Sequence, residues 1–152
     1  MMKNNPFLFI LLLFLALLVG LLVGFKVFFQ ENESSLTING QRIKLEVADQ
    51  TDEIKQGLSG RNSLAEDTGM IFLFTQKDRY SFWMKDMKFN LDFVFISDKK
   101  VIEIMENVPY PQPGELPKAI VSQEEFDKVI ELNQGMVEKL DIKVGDEIKL
   151  SL

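Results

Sequence analysis

Four charged side chains, Arg61, Asp67, Lys85 and Asp92, stand among apolar residues, and one of them ends the block Phe82-Trp83-Met84-Lys85. Successive strand residues face opposite sides, so Phe82 and Met84 share one face and Trp83 and Lys85 the other. With Phe82 and Met84 turned into a core, Trp83 and Lys85 face outward as an indole and an ammonium, a platform for stacking and hydrogen bonding. The plainer alternative is that Trp83 packs beneath a proline-rich loop. A carboxylate at Asp92 near Lys85 or Arg61 makes either a polar cluster at a barrel mouth or structural ion pairing. The candidate ligand cleft is therefore Arg61, Asp67, Trp83, Met84, Lys85 and Asp92; no catalytic residue is assigned.

Composition narrows the chemistry. Histidine and cysteine are absent from the 152 residues, which removes Ser-His-Asp and Cys-His catalysis and the usual zinc sites. Met70, Met84 and Met87 near Trp83 are a set of soft thioether donors for Cu(I), but methionine is a common core filler, and no metal or cofactor is expected. The adjacent pairs Glu66-Asp67 and Glu124-Glu125 read as solvated carboxylates rather than acid/base sites. A formal charge of −6, with basic residues scattered among acids, argues against nucleic acid as a partner, because phosphate binding needs clustered Lys and Arg.

The elements that must hold these residues read mainly as β. Leu36 to Val47 forms a hairpin around Asn39-Gly40, with Ile43, Leu45 and Val47 alternating with polar residues. Thr51 caps a short helix through about Leu58, with Asp52 and Glu53 in its first turn and Gly57 and Gly60 at its end. The segments Met70–Phe74, Tyr80–Met84, Leu91–Ile96, Val101–Met105 and Val129–Leu132 are rich in branched and aromatic residues and read as strands, an antiparallel meander by default. Pro109 to Pro117 is a loop, since proline lacks the donor that sheets and helices use. Ser122 with Glu125 predicts a capped helical turn, Asn133 a cap for a short helix to Leu140, and Val144-Gly145-Asp146 a turn before the chain's last strand.

The N-terminal part is of another kind. Phe7 to Phe25 is nineteen residues without a polar side chain, sixteen of them Leu, Phe, Ile or Val. As a helix it rises about 28 Å, matching a bilayer's hydrocarbon core, and its transfer into lipid is favourable by roughly 5 to 10 kcal/mol. A cleaved signal peptide is the competing reading, but its apolar region is usually shorter, and no small-x-small exit follows Gly24. The expected layout is a cytoplasmic N-terminus at 1–5, a transmembrane anchor at 6–29, a linker at 30–35 and a β-rich domain at 36–152. Lys3 before the span places the N-terminus inside and the domain outside the cytoplasmic membrane. Ala16, Gly20 and Gly24 lie four apart on one helix face, a stripe that lets two anchors pack as a homodimer.

Three ordered blocks belong together: Gly57-Leu-Ser-Gly-Arg61 through Phe74; Ser81 to Met87 with Leu91-Asp92-Phe93; and Ile130-Glu131-Leu132-Asn133-Gln134-Gly135 with Val144-Gly145-Asp146. In these the chain resembles domain of unknown function 192, a family of small bacterial and archaeal proteins, over about Ile43 to Leu150. The resemblance implies a compact barrel-like β fold with short helices, often behind an export signal or anchor, and carries no established activity or cofactor. Two features depart from the family's pattern: Lys118 to Lys128 is longer, and Asp86-Met87 stands where Asn-Thr is more typical.

The function expected from these residues is a membrane-anchored extracytoplasmic binding or accessory module of the cell envelope, with an envelope ligand or protein as partner. An envelope hydrolase using Asp67 or Asp92 is the alternative, and a structural or interaction protein working through the anchor is a third.

Overall fold

Asn39 and Gly40 both take positive φ, 49° and 76°, the tight-turn geometry in which these two residue types carry least strain. The turn joins β1 (Ser35–Ile38) to β2 (Gln41–Ala48), paired antiparallel. A computed structural model provides this geometry for residues 6–28 and 33–152, with the side chains of the N-terminal helix described from Ile10 to Leu21. The chain divides into two units, Met1–Asn32 and Glu33–Leu152.

In the second unit, β2 is followed by the one-and-a-half-turn helix α2 (Thr51–Gln56) and then by β3 (Thr68–Asp78), which lies parallel to β2. The antiparallel meander is thereby corrected: the seven-stranded sheet is mixed, in the order β6-β5-β8-β3-β2-β1-β9. Its other members are β5 (Leu91–Ser97), β6 (Lys100–Val108), β8 (Phe126–Asn133) and β9 (Lys149–Ser151). The sheet curls into a half-barrel. The segment before β9 bridges back to β6, with Ile148 donating to the Lys99 carbonyl and Val101 to the Asp146 carbonyl, each at 2.9 Å. A separate two-stranded sheet pairs β4 (Ser81–Trp83) with β7 (Ala119–Val121).

The central strands are covered on both faces, which is why β5 reads as a continuous apolar run broken only by Asp92. Ile71, Val94, Ile96, Ile130 and Leu132 meet the hairpin and α3 (Met136–Lys139) on the aliphatic face. Phe72, Phe93, Phe95, Phe126 and Val129 meet Phe82, Met84, Met87 and Leu58 on the aromatic face. Gly69 permits the close passage of β3 over β8, since a Cβ there would meet a Leu132 methyl at 2.8 Å and the Glu131 carbonyl at 3.2 Å.

Three local expectations change. Ser122 starts no helical turn; its hydroxyl donates to Glu103 at 2.6 Å and accepts from the Glu124 amide at 3.0 Å, fixing the bend after β7. Asn133 remains in β8, its amide donating to the Leu64 and Ala65 carbonyls at 3.0 and 3.2 Å, and α3 begins after Gly135. At α2 the N-cap is Gln50 rather than Thr51, and the Glu53 carboxylate accepts from the Gln50 amide at 3.2 Å.

In the first unit, α1 (Pro6–Phe28) is a 23-residue helix. Among the described residues no helix is long and apolar enough to cross a membrane; Ile10 to Leu21, where side chains are described, rises only about 18 Å. Ala16 and Gly20 of the small-residue stripe are exposed. The surroundings of Gly24, the expected N-terminal tail at 1–5 and residues 29–32 of the expected anchor and linker lie outside the described residues.

Candidate functional site

The aromatic face opens to solvent between α2 and β4, as a pocket of about 220 Å³. One wall is the end of α2, where Gly57 at φ 48° lets the chain turn so close to Phe72 that a Cβ would lie 3.2 Å from its ring. The other wall is Tyr80, Phe82 and Trp83, with Phe74 behind, stacked on Tyr80 at 3.8 Å, and Phe72 edge-on to Phe82 at 5.2 Å. Two straps hold the walls together: the Ser59 hydroxyl donates to the Lys85 carbonyl at 2.8 Å, and the Gly60 amide to the Asp86 carbonyl at 2.9 Å. Asp86 sits at φ 57° in that turn, a conformation that Asp and Asn tolerate best after glycine. Met87 follows it into the pocket lining.

One ionisable group lies deep in this apolar lining, and it is Glu131 on β8. In register it sits between Met70 of β3 and Phe93 of β5, and only 5% of its surface is exposed. Among the described residues, no side chain or amide donates a hydrogen bond to its carboxyl. No fully enclosed side-chain oxygen there lacks a partner, so the Glu131 oxygens keep a small exposure. Burial pushes this carboxyl up to about 8, opposed in part by the positive field of Arg61. It is thus largely protonated at neutral pH, able to donate one hydrogen bond.

Arg61 forms a two-pronged pair with Glu46 of β2, Nη1 to Oε1 at 2.8 Å and Nη2 to Oε2 at 2.7 Å. That bond raises Arg61 further and fixes its planar head beside a row running Glu46, Met70, Glu131 across the sheet. Trp83 is 55% exposed at the pocket rim, and the Lys85 ammonium lies 5.4 Å from its ring centroid. With Lys55, Gln56, Ser59 and Asp86 these two line a shallower, more polar depression adjoining the pocket. Phe82 and Met84 are buried as the strand alternation requires.

The remaining candidates are elsewhere. Asp92 faces the aliphatic side, fully buried, where its carboxylate accepts from the Asn107 amide at 2.9 Å and the Val137 amide at 3.1 Å. Asp67 is exposed on the approach to β3, in contact with the Thr68 hydroxyl at 3.3 Å. Met84 is sealed in the core. Pro109–Pro117 is a loop without strand or helix, and among the described residues none of it lines the pocket. Nor does any group of three acids among them lie close enough to hold a metal ion.

Sequence reasoning passed over Glu131, although the cue was present: a single acid inside Val129-Ile-Glu-Leu132, a run otherwise apolar on both faces. It also passed over Glu46 as the partner of Arg61. Both fall on one sheet face because the register pairs each of them with Met70 of β3.

The family model of DUF192, described as an uncharacterized ACR, matches residues 34–150. No curated protein matches the chain. Among solved structures, a protein of Sinorhizobium meliloti 1021 provisionally described as a transcription regulator is 31% identical, with a TM-score of 0.68, over 78% of this chain and 92% of that one. A protein of unknown function from Novosphingobium aromaticivorans DSM 12444 is 30% identical, with a TM-score of 0.66, over 77% and 83%. With its half-barrel, its three sequence blocks and a match spanning well over half its length, the chain belongs to the DUF192 family.

Proposed function

We propose that the chain is a binding or accessory module of the cell envelope, tethered by its N-terminal helix with the β-domain extracytoplasmic, and that its ligand site is the pocket between α2 and β4. The observation that carries this reading is the pocket itself, an opening in the aromatic core with an unpartnered carboxyl in its lining and an exposed Trp83 at its rim. A concave apolar site with a few convergent polar groups is the usual form of a small-molecule site. Asp92 leaves the proposed cleft, and Arg61, Trp83 and Lys85 stand around it.

The tether rests on the sequence of Phe7 to Phe25, apolar throughout and long enough to span a bilayer. Nucleic acid is disfavoured as a ligand, because a charge of −6 with dispersed Lys and Arg opposes phosphate. A hydrolase reading moves from Asp67 and Asp92 to Glu131, whose raised pKa suits a general acid. Among the described residues, however, no second carboxylate lines the pocket to serve as base or nucleophile, which favours binding over catalysis.

The test is a screen of small aromatic and aliphatic compounds on the full chain in detergent micelles, read by NMR at the indole N–H of Trp83, the sole tryptophan. Compounds that shift the indole together with the Gly57 amide support the pocket; a screen in which none moves either resonance rejects it. Alkaline carbonate washing of membranes tests the tether, and release of the intact chain would end that part.

A further inference from the structure

The charge pattern around the pocket says what kind of molecule fits it, an inference that rests on the pocket being the ligand site. We propose that it takes small, mainly apolar, uncharged molecules bearing one hydrogen-bond acceptor, such as a carbonyl oxygen, which receives its hydrogen bond from the Glu131 carboxyl.

Size comes first. An apolar cavity of about 150 Å³ holds benzene, so a pocket of about 220 Å³ holds one ring with a short substituent. Polarity follows from the one carboxyl in the lining among the described residues, since the Ser59 and Tyr80 hydroxyls there already donate to the Lys85 and Gln76 carbonyls. Glu131 is only 5% exposed, it lines the pocket, and its carboxyl has no hydrogen-bond partner among the described residues. A buried polar group without a protein partner is a standing cost that a ligand atom can relieve.

The same surroundings decide against an organic cation. Lys55 on α2 and Lys85 after β4 flank the entrance, and the Trp83 ring already has the Lys85 ammonium 5.4 Å from its centroid. Arg61 adds its field from the loop after α2; of the acids nearby, Glu46 on β2 is paired with Arg61, and Asp86 lies exposed beside Lys85 in the adjoining depression. Tyr80 contributes a ring to the wall, and β3 and β5 present Met70 and Phe93 beside Glu131. An ammonium would cross positive charge to form an ion pair in an apolar site, where desolvation opposes it. A neutral acceptor meets neither obstacle, since burial keeps the Glu131 proton in place to about pH 8.

Three probes of one shape separate the possibilities: acetophenone with a carbonyl, 1-phenylethylamine with an ammonium, and α-methylstyrene with neither. Titrated into the full chain in micelles and read at the Trp83 indole, acetophenone binds roughly tenfold more tightly than the other two at pH 6, one hydrogen bond's worth. Its affinity then falls above about pH 8 toward that of α-methylstyrene, about tenfold in all, as Glu131 loses the donated proton. In E131Q the amide still donates, so acetophenone binding persists and its pH dependence vanishes. Equal binding of ketone and hydrocarbon would leave the pocket standing and overturn the role of Glu131. Tightest binding by the amine, rising with pH, would overturn it in the opposite sense, and no indole shift from any probe would overturn the pocket as well. Should E131Q fail to fold, the pH profile of the unmodified chain decides alone.

Discussion

Glu131 and Asp92 are acids on neighbouring central strands, one register step apart, since Asp92 pairs with Leu132 and Phe93 with Glu131. Both are buried, 5% and 0% exposed, yet they face opposite sides of the sheet. On the aliphatic side, Asp92 finds two backbone amides, one from the end of β6 and one from the first turn of α3, where a carboxylate also complements the helix dipole. On the aromatic side, Glu131 meets rings, thioethers and a distant guanidinium, and accepts from none of them. Two carboxylates at nearly the same depth thus do different work. Asp92 ties loops to the sheet, whereas Glu131 stands in the pocket lining without a hydrogen-bond donor among the described residues.

The sharpest way to break that comparison is through pH. In the unfolded chain Glu131 gives up its proton near its ordinary value of 4.5, and in the fold it keeps it to about 8. Between those values the unfolded state binds fewer protons, so stability falls as pH rises, and the contribution is fully present only below about 4.5. At about 1.4 kcal/mol per pH unit the loss approaches 5 kcal/mol by pH 8 and above, a figure good to its order of magnitude. Urea unfolding of the full chain across pH 5 to 9, compared with E131Q, measures it. The unmodified chain should weaken steadily relative to the variant, and parallel curves would mean that Glu131 is solvated or paired after all.

Asp92 should give the opposite pattern. Replacing it by Ala leaves the amides of Asn107 and Val137 without an acceptor, at about 1 to 3 kcal/mol each where water cannot reach. D92A should therefore lose roughly 3 kcal/mol at every pH between 5 and 9, with the Trp83 indole resonance unmoved because the pocket lies on the other face. A loss confined to one end of that range, or a shifted indole, would show that the two faces are coupled.

The contrast also explains what could be read from the chain beforehand. Asn39-Gly40 gave the hairpin, and the apolar runs gave the strands, because turn chemistry and burial leave local traces. The alternation in Phe82-Trp83-Met84-Lys85 placed the Trp83–Lys85 pair outward for the same reason. Pairing partners leave no such trace. The β2–α2–β3 unit had a helix between two strands, the usual accompaniment of a parallel pair, but only the parallel register sets Glu46, Met70 and Glu131 in one row beneath Arg61. Asp92 misled because its strand position fixes a face without saying which face holds the pocket. Asn133, a fair helix cap by residue type, was claimed instead by the Leu64 and Ala65 carbonyls from a distant loop.

Arg61 offers the smallest and finest adjustment of the comparison. Its pair with Glu46 is more than a third exposed on both sides, so breaking it removes only about 1 kcal/mol of stability. Its charge, however, is what holds the Glu131 carboxyl below the value that burial alone would impose. In R61Q the carboxyl should titrate higher than in the unmodified chain, moving the alkaline limit of acetophenone binding upward while the affinity at pH 6 stays the same. Carbon-13 NMR of the Glu131 carboxyl against pH reads the shift directly. A midpoint that stays put or drops would mean that Arg61 and Glu131 do not sense each other, and that the row beneath the pocket acts as separate residues rather than as one electrostatic unit.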